Sequence, residues 1–165
     1  MYIQNSNILS VNTDIIVNSA HPSLIAGSGI SGIIHRAAGP ELERYAKPLG
    51  PLNPGEAVIT PALNLNAKYI IHTICPRYMD GQRGEAEQLA SAYSSALAYF
   101  KQTSDAKSIA FVSMGTGVYK WPLELAAEIA VRELMKSEFD ETVICVMDEQ
   151  TRDAYRTAKT LMVGN

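Results

Sequence analysis

Residues 14–40 read DIIVNSAHPSLIAGSGISGIIHRAAGP, and the fold and the function both follow from this stretch. An apolar run leads to a glycine-rich turn at residues 27–29, which opens directly into a helical pattern over residues 30–38. Gly39 and Pro40 would end that helix. Unpaired backbone N–H groups and the positive end of the helix dipole favour an anion at such a helix start. The stretch therefore predicts a site for a phosphate or diphosphate.

Strand and helix patterns alternate along most of the chain. The predicted strands cover residues 2–4, 14–19, 57–60, 68–74, 108–113 and 142–147. The predicted helices cover residues 30–38, 41–46, 85–101 and 122–136, with a last helix that Asp148 or Thr151 caps and that reaches residue 162. The proline-rich residues 47–55 are predicted to form a loop. This order predicts one α/β domain over residues 1–165, with a mainly parallel sheet covered by helices on both faces.

A second glycine-rich loop lies at residues 115–117, again between an apolar strand and a helix. Because ligands of parallel sheets bind beyond the carboxyl ends of the strands, both loops are predicted to lie at one edge. A diphosphate needs two facing concavities, which two such loops would supply. The alternative is that these glycines only form tight turns.

Gly27, Gly29 and Gly32 also fit the G-x-G-x-x-G spacing of nicotinamide-dinucleotide folds. That turn normally follows its strand directly, whereas several residues intervene here. The acid expected about 20 residues later for the ribose is replaced by Leu52 and Asn53. These two mismatches argue against a dinucleotide-dependent oxidoreductase.

The composition is that of a globular protein without extreme charge. The chain has 165 residues, a formal net charge of −3, 47% hydrophobic residues and 19% charged residues. No global field would attract it to nucleic acid or to an anionic membrane. The N-terminus has no signal-peptide pattern, and no apolar run is long enough to cross a bilayer. Cys75 and Cys145 lie in apolar runs and are expected to be buried thiols, so we expect a cytoplasmic location.

Four stretches together carry a family resemblance. Residues 14–42 resemble the macrodomain signature, which is roughly D-x-I-V-N-A-A-N, a glycine loop and then I-H-x-A-A-G-P. GEAVIT and AKYIIHTICP resemble the third and fourth strands of that family, and SMGTGVYKWPLELAAEIAV resembles its second phosphate loop and the following helix. The macrodomain, or Appr-1-p processing, family binds ADP-ribose. The resemblance implies a three-layer α/β/α sandwich with a mixed, mostly parallel sheet of six strands.

The resemblance also implies which residues bind the ligand. On the first loop they are Gly27, Ser28, Gly29 and Ile30, which would lie along the diphosphate, followed by Ser31. On the second loop they are Ser113, Gly115, Thr116, Gly117 and Val118, whose backbone N–H groups would close over its other side. Asn18 is expected to brace the first loop through backbone contacts.

Tyr119 is expected against the distal ribose, where its ring and hydroxyl suit the two edges of a sugar. Asn7 falls where the family usually has an aspartate that accepts a hydrogen bond from the adenine amino group, and Ile8 lies beside it. An amide oxygen can accept that bond without charge assistance, which would weaken the preference for adenine. Met147 is expected to pack on adenine through its flexible thioether.

The sequence departs from the MacroD-like hydrolases of this family at two positions. In those hydrolases the second Asn of N-A-A-N orients the distal ribose, and an acid after the glycine loop helps to activate water. Here these positions are His21 and Ser31. Ser31 cannot act alone as a base at neutral pH. His21 is a candidate base or ribose contact, with an exposed structural loop histidine as the alternative.

The leading prediction is therefore a module that binds ADP-ribose, or an ADP-ribosylated protein, without a cofactor or metal. The alternative is a hydrolase of ADP-ribosyl esters or of O-acetyl-ADP-ribose that relies on a positioned water. A weaker third hypothesis is RNA or poly(ADP-ribose) binding, for which Lys120, Trp121 and Arg77 near the loops are the hints and the acidic balance is the counter-argument. Asp14, Glu56 and Asp80 form no evident acid–base pair.

Overall fold

A computed structural model of the chain describes residues 1–117 and 119–164. Its single sheet has six strands, β1 (Tyr2–Asn5), β2 (Ile15–Ser19), β3 (Ala57–Pro61), β4 (Tyr69–Thr73), β5 (Ser108–Val112) and β6 (Glu141–Val146). Their order across the sheet is β1-β6-β5-β2-β4-β3. All neighbouring pairs are parallel except β3, which runs antiparallel to β4 at one edge. The expected mixed, mostly parallel sheet of six strands is confirmed.

Within the residues that the structure describes, five α-helices form the outer layers. They are α1 (Gly29–Ala38), α2 (Glu41–Ala46), α3 (Glu85–Leu97), α4 (Leu123–Leu134) and α5 (Glu149–Val163). Helices α3, α4 and α5 contact one another in sequence order, and their buried residues share one core with the sheet. Helices α1 and α2 contact each other and share buried residues with the opposite face of the sheet. The result is the three-layer α/β/α sandwich implied by the resemblance.

Strand β2 shows why the unbroken β-branched run in the sequence is a central strand. Ile15 and Val17 belong to the core beneath α3, α4 and α5, whereas Ile16 belongs to the core beneath α1. All three are at most 1% exposed. Because successive side chains of a strand point to opposite faces, a strand covered on both faces carries an unbroken apolar run, here residues 15–17, before its polar end at the site.

Several boundaries differ from the sequence prediction. The helix predicted over residues 85–101 is α-helical only to Leu97, and residues Ala98–Gln102 tighten into a 3₁₀ turn. Such turns are common at helix C-termini, and the apolar periodicity continues through the turn. The predicted loop over residues 47–55 begins with a 3₁₀ turn at Lys47–Leu49, in which proline occupies the first turn, where no N–H is needed. Asp148, rather than Thr151, caps α5 by accepting the Thr151 N–H at 2.7 Å.

The sheet order places the two glycine loops side by side. Strand β2 pairs directly with β5, with Ile15 beside Ile109 and Ile16 beside Ala110. Because the strands are parallel, the chain leaves both at the same edge, into the first and second glycine loops respectively. In the described part of the chain, no helix is long and apolar enough to cross a membrane.

Candidate functional site

The first glycine loop presents backbone to the edge of the sheet. Gly27 and Gly29 have φ angles of 63° and 60°, in the left-handed region that glycine adopts without strain. A Cβ atom added to Gly29 would meet no atom within 4 Å, so this residue faces open space. Ser28 precedes α1 in an extended conformation, and its side chain does not cap the helix. The first-turn N–H groups of α1 therefore remain available to an anion.

The glycines of the two loops have different roles. A Cβ on Gly32 would lie 2.9 Å from the Gly27 carbonyl oxygen, so Gly32 allows α1 to pack against its own loop. A Cβ on Gly115 would lie 2.5 Å from Trp121 Cδ1, so Gly115 makes room for the indole. Gly117 resembles Gly29 instead, because a Cβ there would meet no atom within 4 Å.

Between the loops lies a cleft of about 440 Å³. Its lining includes the predicted residues His21, Ser28, Gly29, Ile30, Ser31, Ser113, Gly115, Gly117 and Tyr119. It also includes Met114, which lies within the predicted second loop, and three residues that were not predicted as ligand contacts, Ser19, Ala20 and Val112. Among the described residues, the lining contains no carboxylate and no lysine or arginine. Apart from His21, the described lining is therefore uncharged.

The other predicted ligand residues lie around the cleft or outside its lining. Asn7 is exposed, and its side-chain oxygen accepts the Leu9 N–H at 2.9 Å. Ile8 is 2% exposed and packs in the core, whereas Met147 is 70% exposed after β6. Two further predicted ligand residues also lie outside the lining. Gly27 is covered by His21, and the hydroxyl of Thr116 lies 3.4 Å from that of Ser113. Val118 lies outside the described residues.

A chain of buried polar side chains runs from the cleft into the sheet. Asn18 Nδ2 lies 3.4 Å from Ser31 Oγ and 3.2 Å from His72 Nδ1, and His72 Nε2 lies 2.9 Å from Thr60 Oγ1. Asn18 thus braces the first loop through side chains, not through the expected backbone contacts. Burial, followed by the nearby His35 ring, lowers the pKa of His72 to about 3. A neutral imidazole therefore holds Asn18, and Asn18 holds Ser31.

His21 stands at the mouth of the cleft with a defined ring orientation. Its Nδ1 accepts the Ser23 N–H at 3.0 Å, and the side chain is exposed. A neutral imidazole that accepts at Nδ1 carries its hydrogen on Nε2. In this orientation Nε2 is a hydrogen-bond donor to a ligand, whereas a general base would need that nitrogen to be free.

Two buried tyrosines support the second glycine loop from below. Tyr155 on α5 donates to Ser113 Oγ at 3.0 Å, and the Met114 N–H donates to Tyr93 Oη on α3 at 3.1 Å. Both tyrosines are 0% exposed. Sequence reasoning placed Tyr93 on a buried helix face but missed this role, since neither tyrosine is close in sequence to the loop.

The loop over residues 77–84 buttresses the second glycine loop from the side. The Tyr78 N–H donates to the Tyr119 carbonyl at 3.0 Å, and the Tyr78 ring packs on Trp121 with centroids 5.1 Å apart. Trp121 is 4% exposed and donates from Nε1 to the Pro76 carbonyl at 2.9 Å. The indole that suggested base stacking is therefore buried, which removes the main aromatic hint of RNA binding.

Glu85 holds this loop in place. Its carboxylate accepts four backbone N–H groups, from residues Met79, Asp80, Gly81 and Arg83, at 2.7 to 3.1 Å. Burial by itself would raise the pKa of Glu85, but these hydrogen bonds outweigh it and lower the pKa to about 2. The carboxylate stays ionised and keeps the loop closed on itself.

The three acids considered from sequence serve local structure. Asp14 precedes β2, at the edge opposite the cleft, and accepts the Lys107 N–H at 2.8 Å. Glu56 accepts the Asn53 N–H at 2.6 Å, and Asp80 pairs with Arg83 at 3.3 Å. In the described ranges, no group of three or more His, Cys, Asp or Glu side chains could hold a metal ion.

A family model described as Macro domain matches residues 17–130, which include the end of β2, both glycine loops and most of α4. The chain belongs to the macrodomain family. Among the relatives of this macrodomain, a macro domain-containing protein of Ralstonia nicotianae is 42% identical over 155 residues, covering 93% of this chain and 90% of its own.

Other relatives of this macrodomain have names that suggest a ligand. A protein of Klebsiella pneumoniae named O-acetyl-ADP-ribose deacetylase is 42% identical over 159 residues, covering 91% of this chain and 90% of its own. The macrodomain of Oceanobacillus iheyensis, solved as a mutant with ADPR, has a TM-score of 0.91 and 30% identity. That match covers 99% of this chain and 93% of the other.

Proposed function

We propose that this macrodomain binds ADP-ribose or a close derivative in the cleft between its two glycine loops. The observation that carries the proposal is that Gly29 and Gly117, one on each loop, both face open space. A backbone without side-chain cover can approach a diphosphate closely and direct N–H groups at it. The mutant of the O. iheyensis macrodomain with ADPR supports this choice of ligand.

Within this proposal, the diphosphate lies between residues 27–31 and residues 113–118. The distal ribose lies against Tyr119, near His21 and Ser31, all three of which line the cleft. The adenine lies towards Asn7, Ile8 and Met147, beyond the lining. The exposure of Met147, 70%, leaves its thioether free to cover a base.

A substitution at Gly117 tests this proposal with little risk to the fold. Its φ lies outside the left-handed region, and an added Cβ meets no atom within 4 Å. We expect Gly117→Val to weaken ADP-ribose binding about tenfold or more, because the side chain would occupy the ligand's space. Titration calorimetry measures the affinity, and thermal unfolding checks that stability is unchanged. Equal affinity of the variant and the unaltered chain would contradict the proposal.

We further propose that the module acts on ADP-ribosylated proteins or on free ADP-ribose in a cytoplasmic setting. Cys75 and Cys145 are both free and buried, as expected for a reducing compartment. Burial raises the pKa of the Cys75 thiol to about 12, which makes this thiol inert. The neutral cleft lining supports neither a nucleic-acid backbone nor a metal as the principal partner.

A second candidate function is hydrolysis, which the deacetylase name of the Klebsiella relatives favours. In that reaction water attacks the carbonyl carbon of an acetyl or acyl ester on the ribose. The bond between that carbon and the ribose oxygen then breaks, and the ribose oxygen takes a proton as the carboxylic acid leaves. The described lining lacks a carboxylate base, so the rate would depend on a positioned water and on His21.

One assay separates binding from hydrolysis. The unaltered chain, His21→Ala and His21→Asn are incubated with O-acetyl-ADP-ribose and with a mono-ADP-ribosylated protein. We expect binding without turnover, because Nε2 of His21 is oriented as a donor. Turnover that is lost in both variants would make His21 catalytic. Turnover that survives in His21→Asn would instead assign the residue to orienting the ribose.

A further inference from the structure

The two buried tyrosines beneath the second glycine loop form a chain of polar contacts, each holding one residue of that loop. Tyr93 Oη and Tyr155 Oη lie 3.5 Å apart. One end of the chain is the Met114 N–H, which donates to Tyr93, and the other end is Ser113 Oγ, which accepts from Tyr155. Ser113 and Met114 both line the cleft.

Two of these contacts have a fixed direction. An amide N–H can only donate, so Tyr93 accepts from Met114. Tyr155 donates to Ser113, which is the direction that its geometry shows. In the longer contact between the two tyrosines either hydroxyl can be the donor, because a phenolic oxygen can accept a second hydrogen bond.

The bond from Tyr155 determines where the hydrogen of the Ser113 hydroxyl can point. Since its oxygen accepts from Tyr155, its hydrogen must point elsewhere. Within the protein, the Thr116 hydroxyl lies 3.4 Å away, which is long for a bond between two hydroxyls. An anionic oxygen in the cleft would be a stronger acceptor, and polarisation along the chain strengthens the last donor.

We propose that Ser113 donates its hydroxyl hydrogen to a phosphate oxygen of the ligand, that Tyr155 is the positioning residue that fixes this direction, and that Tyr93 holds the neighbouring Met114. The inference rests on the proposed binding of ADP-ribose and adds a directed side-chain donor to the backbone N–H groups. It also makes α3 and α5, which contribute no residue to the described cleft lining, part of ligand recognition.

Burial keeps the chain in its donor state. It raises the pKa of both tyrosines, in Tyr93 well above the ordinary value. In Tyr155 the hydrogen bonds with Ser113 and Tyr93 oppose the effect of burial. Both phenols therefore keep their hydrogens at every pH at which the protein would be assayed.

A double-mutant cycle tests the chain. ADP-ribose affinity is measured for Tyr155→Phe, Ser113→Ala and the double variant, with Tyr99→Phe as the matched control. Like Tyr155, Tyr99 donates a hydrogen bond from its hydroxyl, but its acceptor is the Ala57 carbonyl, 3.3 Å away and outside the cleft. We expect Ser113→Ala to weaken binding about tenfold and Tyr155→Phe about threefold to tenfold. Tyr155→Phe should have no further effect once Ser113 is alanine.

The outcomes distinguish a failure of the tyrosine contacts from a failure of ADP-ribose binding. If the unaltered chain binds ADP-ribose but Tyr155→Phe behaves like Tyr99→Phe, the chain is overturned while the proposed function stands. Independent effects of Tyr155→Phe and Ser113→Ala that multiply would overturn it equally. If the unaltered chain does not bind, the proposed function fails and the Ser113 contact fails with it.

The hydrogen bond between Tyr93 and the Met114 amide can also be tested without a ligand. Hydrogen exchange of the Met114 amide should be slow in the unaltered chain and should accelerate in Tyr93→Phe, which removes the acceptor. Tyr99→Phe should leave it unchanged. Unchanged Met114 exchange in Tyr93→Phe would overturn the origin of the chain, even where both variants fold.

Discussion

Two side chains, neither of them an acid, distinguish the site at the scale of single residues. By the resemblance, His21 and Ser31 fall at the positions where the MacroD-like hydrolases have an amide and an acid, and both line the cleft. Ser31 is 3% exposed and is held by Asn18, whereas His21 is exposed and held by the Ser23 N–H. Neither arrangement supplies a base, which is why the proposal favours binding over hydrolysis.

Gly29 gives the sharpest prediction at this scale, because Gly84 is its matched control. The φ angles of Gly29 and Gly84 are both positive, 60° and 79°. A Cβ atom has room at both positions: at Gly29 it would meet no atom within 4 Å, and at Gly84 its nearest neighbour would be Glu87 Oε2 at 3.9 Å. Gly29→Ala and Gly84→Ala should each cost about 1 kcal/mol of stability from backbone strain. Gly29→Ala should also weaken ADP-ribose binding by placing a side chain in the cleft, whereas Gly84→Ala should affect binding less, and only through the support that the loop over residues 77–84 gives the second glycine loop.

Calorimetry and thermal unfolding of the two glycine variants provide the check. A loss of affinity in Gly84→Ala as large as in Gly29→Ala would attribute the effect to strain in general and not to the cleft. An unaffected Gly29→Ala variant would mean that the ligand lies elsewhere.

At the scale of elements, the two glycine loops are supported differently. The first is braced by β2 and β4 through Asn18 and His72, two side chains with 0% exposure. The second is supported from below by Tyr93 and Tyr155 and from the side by the loop over residues 77–84. Each loop thus stands on contacts made by residues far away in sequence, as preorganised binding requires.

Glu85 allows a test of the lateral support. Glu85→Gln keeps the shape but replaces one acceptor oxygen by an NH₂ group, which would face backbone N–H donors. We expect a lower melting temperature, faster amide exchange over residues 79–83 and weaker ADP-ribose binding. Glu87→Gln is the control, because Glu87 also lies in the first turn of α3 but is exposed. Equal behaviour of the two variants would contradict the role of Glu85.

At the scale of the whole molecule, the buried His72 links the site to pH-dependent stability. Its pKa in the folded protein is about 3, against an ordinary value of 6.5. Between these two values the unfolded chain binds a proton that the folded protein does not, so stability falls as the pH falls. The carboxylates of Asp14, Asp148 and Glu85 have lowered pKa values and act in the same direction, but at lower pH.

We therefore expect the free energy of unfolding to decrease by about 1.4 kcal/mol for each pH unit below about 6 through His72 alone. Denaturant unfolding between about pH 7 and about pH 5 measures the slope, to which His72 should contribute about one proton at the acidic end. His35, whose pKa burial also lowers, adds to the slope in the same direction. Nuclear magnetic resonance of the His72 ring gives a direct control, since its signals should not titrate there. A His72 ring that titrates in this window would contradict the neutral network.

Much of this molecule could be predicted from the sequence, because local patterns encode local structure. The apolar run of β2, the glycine turn and the start of α1 follow from residues 14–40 alone. The buried partners of the site could not be predicted in the same way. Tyr93 and Tyr155 are 62 positions apart, and their convergence on Ser113 depends on the packing of α3 and α5 against the sheet. His72 looked structural, but nothing in the sequence indicated its bond to Asn18.

In the proposed site the two glycine loops together bind a diphosphate. Calorimetric titration of the unaltered chain with ADP-ribose, ADP and AMP tests it most directly. We expect the affinities for ADP-ribose and ADP to be about tenfold or more higher than the affinity for AMP, because only ADP-ribose and ADP carry a second phosphate for the facing loop. Equal affinities for AMP and ADP-ribose would contradict it.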